Sequence, residues 1–258
     1  MTPDATPPAD GAPQALAEDM TILIPARYAS SRLPGKMLLD RSGKPLIQHV
    51  VERAQEIPGR PRVFVLTDDE RIRDAVEAFG GEAWMTDPDH RSGTDRCAEA
   101  AARLATPIVV NVQGDEPFFA PEDLLGLAKA VAAGADIATL GHPFEDDDHL
   151  QDPNAVKAIV EVDGVARAFQ RAAPEALSPG PGGPPRVWHH QGIYAFRRER
   201  LLAFPGLAPT AGELRERLEQ LRALEHGWRI VVLEASAPAF GVDSPDDYEA
   251  FLARLDAH

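Results

Sequence analysis

The feature that most constrains this chain is an alternation. From residue 21 to residue 140, short runs rich in Val, Ile and Leu take turns with stretches of helical period. The runs at 21–24, 62–67, 82–85, 107–112 and 136–140 read as strands, and 46–56, 69–79, 94–104 and 121–132 read as helices. A strand repeatedly followed by a helix predicts an α/β fold with a parallel-dominated, doubly wound sheet, because parallel neighbours need a crossover long enough to hold a helix. Later the character changes. Runs at 156–162 and 165–170 flank Asp163-Gly164, a dipeptide that favours a β-hairpin. The Pro/Gly run 178–185 reads as a mobile surface loop, 192–196 as a returning strand, 213–226 as one helix, 229–233 as a strand, and 245–255 as a closing helix capped by Ser244. Residues 1–19, rich in Pro, Ala and Asp, read as a disordered tail, which leaves 20–258 as a single domain.

Composition limits the partners. A net charge of −15 argues against a nucleic-acid or anionic-membrane binder, since both rely on clustered positive charge. The single cysteine, Cys97, excludes an intrachain disulfide and a cysteine-rich metal centre, and it suits a reducing cytosol. No apolar run reaches membrane-spanning length, and the N-terminus lacks the basic-then-apolar order of a signal peptide. The expectation is a soluble, cytoplasmic protein.

Three constellations carry chemistry. The first is Ile24-Pro25-Ala26-Arg27-Tyr28-Ala29-Ser30-Ser31-Arg32-Leu33-Pro34-Gly35-Lys36, where three cations stand among residues small enough for backbone N–H groups to approach an anion. It reads as a polyphosphate cradle or as a basic surface loop. It is not a Walker A loop, because Ser30 and Met37 stand where that motif needs Gly and Ser or Thr. The second is Val109-Val110-Asn111-Val112-Gln113-Gly114-Asp115-Glu116-Pro117, an apolar strand ending in two carboxylates. Ligands of open α/β sheets sit beyond such strand ends, so Asp115 is a candidate Mg²⁺ ligand, the alternative being an acidic turn. In the third, Phe240-Gly241-Val242-Asp243-Ser244-Pro245, Asp243 is a helix cap or a second ligand. A cationic loop with two separated carboxylates is the minimum equipment for in-line attack on a phosphoryl group.

These segments occur in order with Gly43-Lys44-Pro45-Leu46-Ile47, Leu66-Thr67-Asp68, His90-Arg91-Ser92-Gly93-Thr94-Asp95-Arg96, Pro153-Asn154-Ala155-Val156-Lys157, His190-Gln191-Gly192-Ile193-Tyr194 and Leu218-Glu219-Gln220-Leu221-Arg222. Through them residues 21–258 resemble the 3-deoxy-D-manno-octulosonate (Kdo) cytidylyltransferase family, the CMP-Kdo synthetases, nucleotidyltransferases with a Rossmann-like core. The resemblance implies transfer of CMP from CTP to the anomeric hydroxyl of Kdo with release of pyrophosphate, a step of lipopolysaccharide biosynthesis. It implies that Arg27, Arg32, Lys36 and Asp115 are catalytic, and that Asp115 and Asp243 hold Mg²⁺. It implies nucleotide contacts from Ala26, Arg27, Ser30, Arg32, Lys36, Thr67, Asp68, Ser92, Gly93, Thr94 and Gln113. For the acid it points to Arg171, His190, Tyr194, Glu219 and Gln220. It further implies a homodimer built around a small β-rich insertion at about 152–200. Ser92-Gly93-Thr94 equally suits a helix cap, and the acid-side residues equally suit a paired surface arginine, core aromatics and a solvated helix face. The chain departs from the family where Gln170 stands in a usual Phe-Ser-Arg run and Leu214 replaces the histidine of a Glu-His pair. Both departures lie in the acid-binding half, so a related acid, such as an 8-amino Kdo, another nonulosonic-type acid or a phosphonate, is the alternative acceptor. A non-catalytic nucleotide-binding protein is the alternative of another class.

Overall fold

The structure, a computed structural model, describes residues 11–30, 32–180 and 182–256. Gly11–Glu18 (α1) leads into Met20–Pro25 (β1), followed by Leu46–Gln55 (α2), Arg62–Thr67 (β2), Glu70–Ala78 (α3), Ala83–Met85 (β3), Gly93–Ala101 (α4), Ile108–Asn111 (β4), Pro121–Ala132 (α5) and Ile137–Pro143 (β5). Beyond these come Asp147–Gln151 (α6), Lys157–Val160 (β6), Ala166–Gln170 (β7), Arg186–Arg197 (β8), Arg198–Ala203 (α7), Ala211–Glu216 (α8), Gln220–Glu225 (α9), Ile230–Glu234 (β9) and Pro245–Asp256 (α10).

The expected α/β sheet is present, in the order β3-β2-β1-β4-β8-β5-β9. Along this path β8 alone runs antiparallel to its neighbours, β4 and β5. The remaining pairs are parallel. Strand period explains the two-sided core. In β1, Ile22 and Ile24 face the cluster built with Ile47, Val50 and Leu124, while Leu23 faces the opposite cluster with Cys97, Leu201 and Leu221. The helices α2 and α5 therefore cover one face, and α4, α7 and α9 the other. A third cluster of Leu46, Val242, Tyr248 and Phe251 docks α10 beside α2.

Residues 156–170 form the predicted hairpin: β6 and β7 pair antiparallel around Asp163-Gly164, and β6 also pairs with β8. In the 178–185 loop Gly180 and Gly183 form an isolated bridge, and Pro181 lies outside the described residues.

Three expectations are corrected. The tail predicted over 1–19 is helical at Gly11–Glu18, with Ala17 buried and Leu16 packed on the first core cluster; residues 1–10 lie outside the described residues. Average composition hid the short Ala15-Leu16-Ala17 run of good helix formers, while Pro13 stands in the first turn, where its missing N–H costs little. The helix predicted over 213–226 is two, broken at Arg217, which has a left-handed φ of 55°. Its cause is distant in sequence: Arg171 Nε donates to the Glu216 carbonyl (2.8 Å) and Arg171 N–H to Glu216 Oε2 (3.0 Å), diverting that carbonyl from a continuing helix. The strand predicted at 192–196 is also longer, because both β5 and β6 extend its pairing toward Arg186.

Helix α10 starts as its sequence suggests. Ser244 Oγ accepts from Asp247 N–H (3.2 Å), and Asp247 Oδ2 accepts from Ser244 N–H (2.8 Å). Replacing Ser244 by Ala should cost about 1 kcal/mol of stability, read as a shifted urea midpoint with unchanged m-value.

Candidate functional site

The first turn after β1 gathers the chemistry. Ala26 N–H donates to the Leu66 carbonyl (2.8 Å), so the chain leaves the sheet between β1 and β2. It returns at Gly35, whose φ of 70° is left-handed and whose N–H donates to the Tyr28 carbonyl (3.0 Å). Lys36 then opens a single 3₁₀ turn with its side chain buried, only 7% exposed. Its ammonium donates to Asp115 Oδ2 and, at 2.9 Å, to Asp243 Oδ1, while Arg32 Nη2 pairs with Asp243 Oδ2 at 2.8 Å. Val242 N–H donates to the Asp115 carbonyl (2.9 Å), which ties the loop after β4 to the loop before α10. Thus the three constellations meet at one point.

Around that point lies a cleft of about 400 Å³, walled by Ala26, Arg27, Ser30, Gln113, Ser92 and Gly93 as well as the charged groups. Glycine is needed twice in this wall. A Cβ on Gly93 would lie 3.2 Å from Pro25 Cγ, and one on Gly114 would lie 3.1 Å from the Pro25 carbonyl oxygen. Burial lowers the Lys36 pKa, but the carboxylates of Asp115 and Asp243 outweigh it and hold the ammonium above its ordinary value.

The donor set suits a hard divalent cation. One carboxylate oxygen from each aspartate converges on a single cation position, taken by the Lys36 ammonium. Among the described residues no group of three or more His, Cys, Asp or Glu is arranged to hold a metal ion. Two carboxylates suffice for Mg²⁺, which keeps several waters and takes further oxygens from substrate phosphates.

On the base side, Ser92 caps α4 by accepting from Asp95 N–H (3.1 Å), and Thr94 Oγ1 donates to Glu219 Oε2 (2.5 Å). Thr67 is buried and its hydroxyl accepts from Asp69 N–H (3.2 Å), off the cleft wall. Asp68 pairs with Arg96 (3.3 Å), which is buried and lines the cleft.

Of the acid-side residues, Tyr194 lies near both His190 and Glu219. The His190 and Tyr194 rings on β8 stand 5.4 Å apart. Burial, then the charges of Glu219 and Glu116, push the Tyr194 phenol upward, so it stays protonated between those two carboxyls. Burial raises Glu219 despite hydroxyls from Ser92 and Thr94, and Gln220 is buried at the start of α9. Arg171 stands apart, bound to Glu216 and, at 3.2 Å, to the Pro153 carbonyl. Glu213, beside the variant Leu214, closes a capping box with Thr210 and pairs with Arg222 (2.5 Å), so it is committed to holding α8 against α9.

Two further groups escaped the sequence reading. Glu116 is pushed up to about 8 by burial and then by the charges of Asp115 and Asp243, and it faces Gly192, where a Cβ would lie 3.3 Å from Glu116 Oε1. Its only signal was adjacency to Asp115. Arg96 was visible as a cation one turn after the Ser92 cap, on the side that α4 turns inward.

His190 donates to or accepts from Thr139 Oγ1 (3.0 Å), and burial, with His189 nearby, lowers its pKa to about 3. In the unfolded chain it titrates near 6.5, so the unfolded state binds the extra proton between these values and stability falls as pH drops below about 6.5. Urea midpoints from pH 7 to 4.5 should decline more steeply for the natural protein than for His190→Gln.

A family model described as "Cytidylyltransferase" matches residues 21–230. A 3-deoxy-manno-octulosonate cytidylyltransferase of Anaeromyxobacter dehalogenans (strain 2CP-C) is 48% identical over 240 residues, covering 92% of this chain and 98% of the relative. The enzyme of the same name from Geobacter sulfurreducens (strain ATCC 51573 / DSM 12127 / PCA) is 42% identical over 253 residues, covering 92% and 99%. A solved structure of a CMP:2-keto-3-deoxy-manno-octonic acid synthetase complexed with CTP superposes with a TM-score of 0.85 at 40% identity, covering 92% of this chain and 98% of that one.

Proposed function

This chain belongs to the cytidylyltransferase family, and from that premise we propose that it transfers CMP from CTP to the anomeric hydroxyl of Kdo, releasing pyrophosphate. The observation that carries the reading is the convergence of Arg32, Lys36, Asp115 and Asp243 on one cleft beyond the carboxyl ends of β1 and β4. Relatives at 48% and 42% identity carry the Kdo cytidylyltransferase name, and the superposed synthetase holds CTP.

In this reading the acceptor oxygen forms a bond to the α-phosphorus of CTP as the bond from that phosphorus to the β-phosphate oxygen breaks, and the hydroxyl proton passes to solvent. Arg27, Arg32 and Lys36 offset charge on the departing pyrophosphate. Asp115 and Asp243 would hold Mg²⁺, which supplies Lewis-acid stabilisation of phosphoryl charge and lowers the pKa of a bound hydroxyl. Ser92, Gly93 and Gln113, which line the cleft, would contact base and ribose, and Tyr194 and Glu219 would contact the acceptor. The product would supply lipopolysaccharide assembly in the cytoplasm, from a homodimer built on the β6–β7 hairpin. Among the described residues no helix is long and apolar enough to cross a membrane.

The deciding experiment measures pyrophosphate release and CMP-conjugate formation with CTP, Mg²⁺ and a panel of acids: Kdo, 8-amino Kdo, a nonulosonic acid and a phosphonate. Turnover with Kdo as the best acceptor supports the reading. Turnover with another acid and none with Kdo overturns the acceptor, and no release with any acid favours a nucleotide-binding role.

A further inference from the structure

Loop 26–36 consists largely of small and polar residues, yet it delivers Lys36 to a buried position between two aspartates. Something must hold it. Proline and the left-handed Gly35 restrict the chain locally, but neither ties the loop to the rest of the fold.

Tyr28 does. Its ring packs on the first core cluster, and the Gly35 backbone closes on the ring's hydroxyl end, so that a Cβ on Gly35 would lie 3.1 Å from Cε2, Cζ and the phenol oxygen. The Gly35 N–H also donates to the Tyr28 carbonyl (3.0 Å), so the aromatic residue grips the far end of the loop through backbone and ring together. Over the same ring lies the Arg71 guanidinium, its Cζ 3.4 Å from the centroid. Arg71 is itself fixed: Nε and Nη2 reach the two oxygens of Asp69 at 2.9 and 2.6 Å, and Asp69 caps α3 by accepting from Arg71 N–H (3.0 Å). The line of contacts therefore runs from the N-terminus of α3 through Asp69, Arg71 and Tyr28 to Gly35, and the next residue is Lys36. Arg71 is largely exposed.

We propose that Tyr28, clamped by Arg71, is a positioning residue that sets Lys36 and the cationic loop for the triphosphate. This rests on the CTP reading above. An aromatic ring is required because a flat face accepts the guanidinium and leaves room for the glycine backbone, which no aliphatic side chain does together.

The test compares Tyr28→Leu, Tyr28→Phe and Arg71→Met in the full chain by steady-state kinetics with CTP and the acid acceptor. Binding of inorganic tripolyphosphate is measured by calorimetry, and fold by melting temperature. Tyr28→Leu removes both the ring surface on which Gly35 is seated and the Arg71 contact, and should raise the KM for CTP and the Kd for tripolyphosphate about tenfold while leaving the acid KM unchanged. Tyr28→Phe should stay within about twofold, since it keeps the ring, and Arg71→Met should show a smaller rise confined to the same two constants. An unchanged CTP KM in folded Tyr28→Leu, equal rises for both substrates, or a Tyr28→Phe as impaired as Tyr28→Leu would each overturn the proposal. If Tyr28→Leu does not fold, exposed Arg71→Met decides by the same CTP-against-acid split. A natural protein that binds neither CTP nor tripolyphosphate removes the CTP reading, whereas normal turnover with an indifferent Tyr28→Leu removes this proposal alone.

Discussion

Asp115→Asn should fold, bind CTP within about tenfold of the natural affinity, and lose roughly 10³-fold or more in kcat. The substitution removes one negative charge and little volume. Lys36 keeps its 2.9 Å bond to Asp243 and gains an amide oxygen in place of the carboxylate, so the loop remains seated. If Arg27, Arg32 and Lys36 hold the triphosphate as proposed, its binding is therefore largely spared. The lost charge matters where phosphoryl charge is redistributed: a neutral amide is a poor Mg²⁺ ligand, and it leaves a single carboxylate at the convergence point. The loss corresponds to about 4 kcal/mol of transition-state stabilisation, the scale of one preorganised electrostatic group in a water-poor site. Calorimetric titration with CTP beside single-turnover kinetics separates the two effects. Near-normal turnover would remove Asp115 from the chemistry, and loss of CTP binding together with turnover would make it a scaffold for Lys36 instead.

How far the sequence led depended on the range of the interaction that decides each feature. Strands β1, β2 and β4 are buried apolar runs bounded by turn residues, and helix α5 begins with Pro121 at its first position, so local pattern sufficed for both. The hairpin of β6 and β7 was legible from Asp163-Gly164 for the same reason. By contrast, the break at Arg217 depends on Arg171 capturing the Glu216 carbonyl, and no local propensity records that. Helix α1 was lost because composition averaged over nineteen residues outweighed three good helix formers that find a docking surface on α5. The site followed the same rule. Arg32, Lys36, Asp115 and Asp243 were each visible as residue types at strand and helix ends. That a single ammonium sits between the two aspartates is a fact of tertiary packing, and so is the upward shift of Glu116, which needs both aspartates close and water excluded. Arg171, which the resemblance assigns to the acid, donates to the Glu216 carbonyl at the end of α8 and to the Pro153 carbonyl, contacts that no local pattern records.

Lys36→Met tests the convergence from the cationic side, and its expected effect is comparably large. The ammonium is 7% exposed, its partners Asp115 and Asp243 are 24% and 43% exposed, and removing it leaves two carboxylates facing each other. Breaking a fully buried pair by deleting one partner costs about 3–5 kcal/mol, and the partial solvation of both aspartates reduces this to roughly 1–3 kcal/mol here. The pH dependence has a definite sign. The Lys36 pKa is raised in the folded state, so the natural ion pair contributes fully below about 10.5 and is lost only as pH climbs through the folded value. Over pH 5–9 the natural protein therefore gains or loses nothing through Lys36. Turnover should fall at least about 10²-fold with a raised KM for CTP, because a fixed charge on the departing phosphates is gone. One more result distinguishes a metal site from a mere salt bridge. With the competing ammonium removed, Asp115 and the Asp243 Oδ1 that Lys36 held are released to bind Mg²⁺, and binding to the folded state alone stabilises it by mass action. Millimolar Mg²⁺ should then raise the melting temperature of Lys36→Met more than that of the natural protein, and of Lys36→Met/Asp243→Asn hardly at all. Equal shifts in all three proteins would mean that the two aspartates meet only to neutralise Lys36.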